Sequence, residues 1–122
     1  MGLAWAWACA AGACAATSAI MAKLASPLER WEYKAACFAI VILCNVSMWS
    51  LYVRSLTALS SLQATVVNFG SNFLLSGLAG FIIFNEPAHF QWFVGASFIL
   101  AGIWVISTAS DETEEMPSKK KE

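Results

Sequence analysis

The sequence predicts an all-α membrane protein with four transmembrane helices. Hydrophobic residues make up 59% of the chain and charged residues only 12%, where about 25% charged is usual in soluble domains. More than half of the charged residues fall within residues 111–122. Residues 62–84 carry no charge, and as a helix they extend about 34 Å, which is enough to cross the hydrocarbon core of a bilayer.

The first span is predicted at residues 3–23 and consists largely of small residues. Ala8, Gly12 and Ala16 recur every four residues, which places them on one face where other helices can approach closely. The segment lacks the basic start of a cleavable signal peptide and is long enough to span, so we interpret it as a transmembrane helix. Lys23 at its end is expected to reach the lipid headgroups.

The second span is predicted at residues 35–54, after a loop that contains the helix breaker Pro27. Its bulky apolar residues indicate more lipid contact than in the first span. Asn45 is its polar interruption. The cysteines fall inside the two apolar stretches and form no CxxC pattern, so they are interpreted as packing residues rather than metal ligands or disulfide partners.

The third span, predicted at residues 62–84, carries the densest polarity within the membrane. Four of its polar residues follow one another at intervals of three or four and therefore share one face: Thr65, Asn68, Asn72 and Ser76. Together with Asn45, this face predicts the lining of a site for a neutral polar or headgroup-like substrate. The alternative is a set of hydrogen bonds between helices.

A break at residues 85–89 precedes the fourth span, which is predicted at residues 90–109. Asn85 is expected to adopt the left-handed conformation that ends a helix, and Pro87 prevents the helix from continuing.

Glu86 is interpreted as a solvated charge at this helix end, with pairing to Arg30, Lys34 or His89 as the alternative. His89 has no companion ligands in the sequence, so no metal site is predicted.

Residues 1–109 are thus predicted as the transmembrane domain and residues 110–122 as a disordered, charged cytosolic tail. Lys119 and Lys120 resemble the dilysine retrieval signal of endoplasmic reticulum membrane proteins; a merely solubilising lysine run is the alternative. If the signal functions, both termini are cytosolic and the protein resides in the endoplasmic reticulum or early secretory pathway. The basic residues flanking the spans are too evenly divided to set an orientation by themselves.

Several segments of the second half of the chain resemble the drug/metabolite transporter superfamily. They are Ser60-Ser61-Leu62-Gln63-Ala64-Thr65, Asn68-Phe69-Gly70, Gly77-Leu78-Ala79-Gly80 and Phe84-Asn85-Glu86, followed by residues 95–102. The chain is similar to the small multidrug resistance and EamA-like branch, and most closely to the eukaryotic transmembrane protein 42 family. The resemblance covers the third and fourth spans well, the second loosely, and the first only by position.

The resemblance implies a small multidrug resistance-like bundle that binds substrate near the midplane between its first three helices. It also implies a homodimer through the fourth helix, where Gly95 and Gly102 are spaced like the family's dimerisation glycines and flank Phe98 and Ile99. Physical reasoning agrees, because a seven-residue glycine repeat provides a close-packing face and four short-looped helices enclose little space.

The first span departs from the proton-coupled exporters of this branch, because residues 10–16 contain no carboxylate. An intramembrane acid is what binds the cationic drug and the competing proton in those exporters. We therefore expect a carrier or flippase for another small-molecule or lipid-headgroup substrate. A non-transporting subunit of an endoplasmic reticulum membrane complex is the alternative.

Other function classes find no support in the sequence. It contains no nucleophile and base pair, metal-ligand cluster or phosphate-binding loop, and no basic stripe for nucleic acid. We therefore predict no enzyme activity, no cofactor, no metal and no nucleic-acid partner. The lipid bilayer is the predicted environment.

Overall fold

The computed structural model describes the backbone of residues 2–114 and the side chains of residues 2–109. It consists of four helices: α1 is Gly2–Ala25, α2 is Trp31–Ser55, α3 is Ser61–Ile82 and α4 is Phe90–Glu114. All four are long and apolar enough to cross a membrane, and the described part of the chain contains no strand. The predicted all-α fold with four helices is confirmed for this part of the chain, and the length and composition of the helices are consistent with a multi-pass membrane protein.

Two helix boundaries differ from the prediction by four residues or more. Helix α2 begins at Trp31 rather than at residue 35, because no breaker follows Pro27 and Glu32 is well placed in the first turn of a helix. Helix α4 continues to Glu114, although its apolar span ends at Ala109 as expected. Lys119 and Lys120 lie outside the described residues.

Helix α1 is the central element of the bundle. It packs against both α2 and α3, whereas α4 contacts α3 and neither of the other two helices. The small residues of α1 explain this position, since the predicted stripe of Ala8, Gly12 and Ala16 is buried along with Ala4 and Ala11. Side chains this small let helix backbones approach closely without a large core.

Helix α2 directs most of its apolar side chains away from the rest of the chain. Phe38, Leu43, Val46 and Trp49 are all exposed, and within its apolar window no residue is buried. This arrangement agrees with the greater lipid contact expected for the second span.

Local signals fix both ends of α3. Its start is a capping box, in which the Ser60 hydroxyl accepts a hydrogen bond from the backbone of Gln63 and the Gln63 side chain accepts one from the backbone of Ser60. The helix ends at Ile82, two residues before the predicted end. Asn85 has a φ of 51°, which confirms the predicted left-handed conformation. The backbone N–H of Glu86 then donates to the carbonyl of Gly80 at 3.0 Å, so the break folds back over the end of α3.

Candidate functional site

The α1–α3 contact brings the predicted polar face of α3 against the small residues of α1. If Gly12 carried a Cβ, that atom would lie 2.5 Å from the carbonyl oxygen of Asn68 and 2.9 Å from the backbone nitrogen of Asn72. Both positions are near the middle of their helices. The two asparagines therefore lie beside a very close backbone contact, deep in the bundle and not at its rim.

Two residues of the polar face bond mainly to their own helix. The Thr65 hydroxyl donates to the carbonyl of Ser61 at 2.6 Å, and the Ser76 hydroxyl donates to the carbonyl of Asn72 at 2.6 Å. Since the Thr65 proton is engaged, the Tyr52 hydroxyl, 2.8 Å away, donates to Thr65 and links α2 to α3. Hydroxyl groups whose protons are already donated within their own helix do not need a ligand to satisfy their hydrogen bonding.

Asn68 is different, because its side-chain oxygen has no partner. This Oδ1 atom is buried and accepts no hydrogen bond from any described residue. A buried acceptor without a donor costs about 1–3 kcal/mol, and such groups are few in native proteins. The amide of Asn68 therefore offers an unused acceptor within α3, at the α1–α3 contact.

Asn45 joins a different contact from the one predicted. Its side-chain amide donates to the Ser18 hydroxyl at 2.7 Å and to the carbonyl of Val41 at 2.8 Å. These bonds go to α1 and to its own helix, so the structure assigns Asn45 to the α1–α2 contact rather than to the polar face of α3. Serine and asparagine side chains commonly hydrogen-bond between transmembrane helices in this way.

The predicted dimer face of α4 divides into inward and outward residues. A Cβ on Gly95 would lie 3.9 Å from Phe73, and Ile99 lies 3.1 Å from the Cβ position of Gly70, so these two positions face α3. Phe98 is 73% exposed, and a Cβ on Gly102 would meet nothing within 4 Å. Of the four predicted residues, Phe98 and Gly102 are thus the two that make no contact with α3 here, and Gly95 and Ile99 are partly buried against it.

The glycines that receive α4 were not singled out from the sequence as a packing pair. Gly70 accommodates Ile103 and Ile99. Gly77 lies under the indole ring of Trp92, and a Cβ on Gly77 would lie 2.5 Å from an atom of that ring. These two glycines are seven residues apart, the same spacing as Gly95 and Gly102. A glycine pair with seven-residue spacing on α3 was therefore visible in the sequence. The prediction used only the pair on α4.

An ion pair joins the ends of α1 and α3. The Lys23 ammonium pairs with Glu86 Oε1 and lies 4.2 Å from the centre of the Phe84 ring. Glu86 was interpreted as a solvated charge, with pairing to Arg30, Lys34 or His89 as the alternative. It is half-exposed, and its observed partner is Lys23, which was expected among the headgroups. The order of the helices could have predicted this pair. The chain crosses back once, through α2, between α1 and α3, so α1 and α3 run parallel and end on the same side of the bundle.

A small cavity of about 90 Å³ adjoins this pair. Besides Lys23, Phe84 and Glu86, its walls are Ala19, Ile20, Ser76 and Gly80. Ser76 is the last residue of the polar face of α3, so that face leads from the unpartnered amide of Asn68 toward the cavity.

Comparison of the chain with known protein families, with curated proteins and with solved structures gives no match. The fold therefore defines the class, a four-helix multi-pass membrane protein, and the family is argued from the residues themselves.

Proposed function

We propose that this protein is a small carrier or flippase of the drug/metabolite transporter superfamily, with a small multidrug resistance-like bundle. Its substrate would bind along the α1–α3 contact, between the polar face of α3 and the small residues of α1. The observation that carries the proposal is the buried, unpartnered Oδ1 atom of Asn68. A donor group on a substrate would satisfy this acceptor, and a few well-placed polar groups in an apolar site are typical of ligand binding.

The depth of Asn68 supports transport rather than binding at the surface. Gly12 and Asn68 meet near the middle of their helices, and transporters commonly bind substrate near the bilayer midplane. The contact is closed at this level, so alternating access requires α1 to separate from α3 there. One end of the α1–α3 contact carries a weak closure, the solvent-exposed pair of Lys23 and Glu86.

The distribution of charge supports a neutral or zwitterionic substrate. Residues 10–16 lack a carboxylate, and residues 62–82 carry no charge. A net positive substrate at the midplane would have no counter-charge on these helices, and an uncompensated charge in the membrane is costly. Proton-coupled export of cationic drugs is therefore not part of the proposal.

The proposal includes a homodimer in the endoplasmic reticulum membrane with both termini in the cytosol. The dilysine-like Lys119 and Lys120 support this location. The outward side of α4, with the exposed Phe98 and the open Gly102, is the surface assigned to the second copy. Gly95 and Ile99 pack partly against α3, so they would contribute only their exposed part to that surface.

A non-transporting subunit of a membrane complex is the second candidate. It is favoured by one observation, the missing carboxylate in the first helix, since a transporter fold retained only as a scaffold has no need of that acid. In that case the amide of Asn68 serves packing alone.

Ligand-dependent thermal unfolding of the purified protein separates these candidates. A panel of polar metabolites and lipid headgroups should include a compound that stabilises the wild-type protein, and Asn68→Ala should remove this stabilisation. Asn45→Ala is the matched control, because it removes the same amide from the α1–α2 contact and should keep the ligand response. A stoichiometric heterologous partner on native purification, with no response to any compound, would favour the subunit.

A further inference from the structure

We propose that Glu86 and the ring of Phe84 form a binding site for the ammonium group of a small zwitterion, and that the ammonium of Lys23 fills this site in the closed bundle. The inference rests on the proposed function, because it names the substrate class that enters the α1–α3 contact.

The surroundings of the Lys23 ammonium are those of a cation-binding site. Its nitrogen lies 4.2 Å from the centroid of the Phe84 ring, well within the distance of about 6 Å at which an aromatic face attracts a cation. The carboxylate of Glu86 contacts the same nitrogen. A carboxylate and an aromatic face directed at one point bind an ammonium group whether it belongs to a lysine or to a ligand.

The lysine is a replaceable occupant. Side-chain exposure is 47% for Lys23 and 50% for Glu86, and ion pairs with this much solvent contact add little net stability. A ligand ammonium can therefore take the place of the lysine ammonium at small cost. The Glu86 carboxylate is paired with an ammonium group both before and after this exchange.

The backbone of Glu86 is held independently of the lysine. Asn85 in its left-handed conformation turns the chain, and the N–H of Glu86 donates to the carbonyl of Gly80 at 3.0 Å. A Cβ on residue 80 would lie 2.8 Å from Glu86 Oε2, so the glycine makes room for the carboxylate against α3. Glu86 therefore stays beside the end of α3 when the lysine ammonium leaves.

The adjoining cavity leaves room for a small ligand group beside the ion pair. Its volume is about 90 Å³, and it is partly open to the outside of the bundle. Ser76 lines the inner wall, where its hydroxyl oxygen keeps a lone pair for a donor because its own proton is given to Asn72.

The displaced Lys23 ammonium can bind a second group of the same ligand. The freed ammonium remains tethered to the end of α1, at headgroup depth, where it can pair with an anionic group on the same ligand. The ligand is therefore a small zwitterion whose ammonium binds Glu86 and whose anionic group binds Lys23. Phosphoethanolamine has this chemistry, either as a free solute or as the headgroup of a lipid.

The test measures stabilisation of the full-length protein against thermal unfolding by free phosphoethanolamine, in micelles without zwitterionic lipid. We expect a saturable stabilisation of the wild type and none by glycerol 3-phosphate, which has the anion without the ammonium. Glu86→Gln should weaken apparent affinity by about tenfold or more, as expected on losing a charge-assisted contact. Phe84→Leu, which keeps the ion pair, should weaken it about fivefold, within the range of a cation–π contact.

Glu29→Gln is the matched control, because it removes one exposed carboxylate from the loop on the same side of the membrane and should leave affinity unchanged. A parallel series in nanodiscs with and without phosphatidylethanolamine identifies the source. Stabilisation by the lipid alone assigns the site to a headgroup, and stabilisation by the free compound assigns it to a solute; each result supports the site.

Equal affinity in the wild type and Glu86→Gln, or equal binding of glycerol 3-phosphate, would overturn the inference. If another compound stabilises the protein through Asn68 and is unaffected by Glu86→Gln, the ammonium site is wrong while the proposed function stands. If no compound stabilises any variant, both are wrong.

Discussion

The backbone of Gly12 in α1 rests against the carbonyl of Asn68 in α3 so closely that a Cβ on the glycine would lie 2.5 Å from that oxygen. Real Cβ atoms do not approach backbone oxygens this closely, and neither backbone can move aside without separating the helices. The contact therefore requires glycine. It also places the unpartnered side-chain oxygen of Asn68 at the level of Gly12 along the α1–α3 contact.

Enlargement of Gly12 should destabilise the protein. Gly12→Leu forces α1 away from α3, and overpacking of a close contact typically costs about 1–3 kcal/mol. Thermal or denaturant unfolding in micelles measures this loss. Gly102→Ala is the control, because a Cβ at that position meets nothing within 4 Å; stability of Gly12→Leu equal to that of the control would contradict the close contact.

Removal of the Trp92 ring should loosen α4. This ring covers Gly77, stacks on Phe73 at 5.7 Å and meets Phe81 edge-on at 4.8 Å, and α4 contacts no helix other than α3. Aromatic pairs contribute about 0.5–1.5 kcal/mol each, so Trp92→Ala should lower the free energy of unfolding by about 1 kcal/mol or more. Trp104→Ala, at a residue that is 70% exposed, should change it little, and equal losses in the two variants would disprove the anchoring role.

The proposed dimer should depend on Gly102. Gly102→Leu adds bulk to the outward side of α4, so crosslinking in detergent should yield monomers. A Gly95→Leu variant would instead press on Phe73 of its own chain and is unsuited to this test. Dimers that persist in Gly102→Leu would exclude this face as the interface.

The proposed location in the endoplasmic reticulum should depend on Lys119 and Lys120. Replacement of Lys119 and Lys120 by serine removes the dilysine-like signal without touching the spans, and the protein should then reach later compartments of the secretory pathway. Microscopy of the tagged variant measures this redistribution. Reticular staining identical to that of the wild type would refute retrieval by these residues.

Local features of the chain were predictable from the sequence. The four spans follow from apolar length, which only a membrane explains at this composition. The left-handed Asn85 follows from the residue type and the proline two positions later. The buried stripe around Gly12 follows from helical periodicity. Each of these depends on neighbours in sequence, so no knowledge of the packing was needed.

Partnerships between helices were harder to predict. Glu86 pairs with Lys23 because α1 and α3 are adjacent and parallel, and Asn45 bonds to Ser18 because α1 lies at the centre of the bundle. Periodicity shows which residues share a face, but it does not show which helix that face meets. The unpartnered oxygen of Asn68 is likewise a property of the assembled bundle, visible only once every neighbour is placed.

The most direct test of the proposed carrier is uptake of polar metabolites and headgroup solutes, including phosphoethanolamine, by liposomes that contain the purified protein. Saturable uptake of at least one compound is predicted for the wild type and for the Asn45→Ala control. In Asn68→Ala, uptake should be abolished while the variant remains folded, because it removes an acceptor that supports no internal hydrogen bond. Undiminished uptake in Asn68→Ala, or no uptake of any compound by the wild type, would contradict the account.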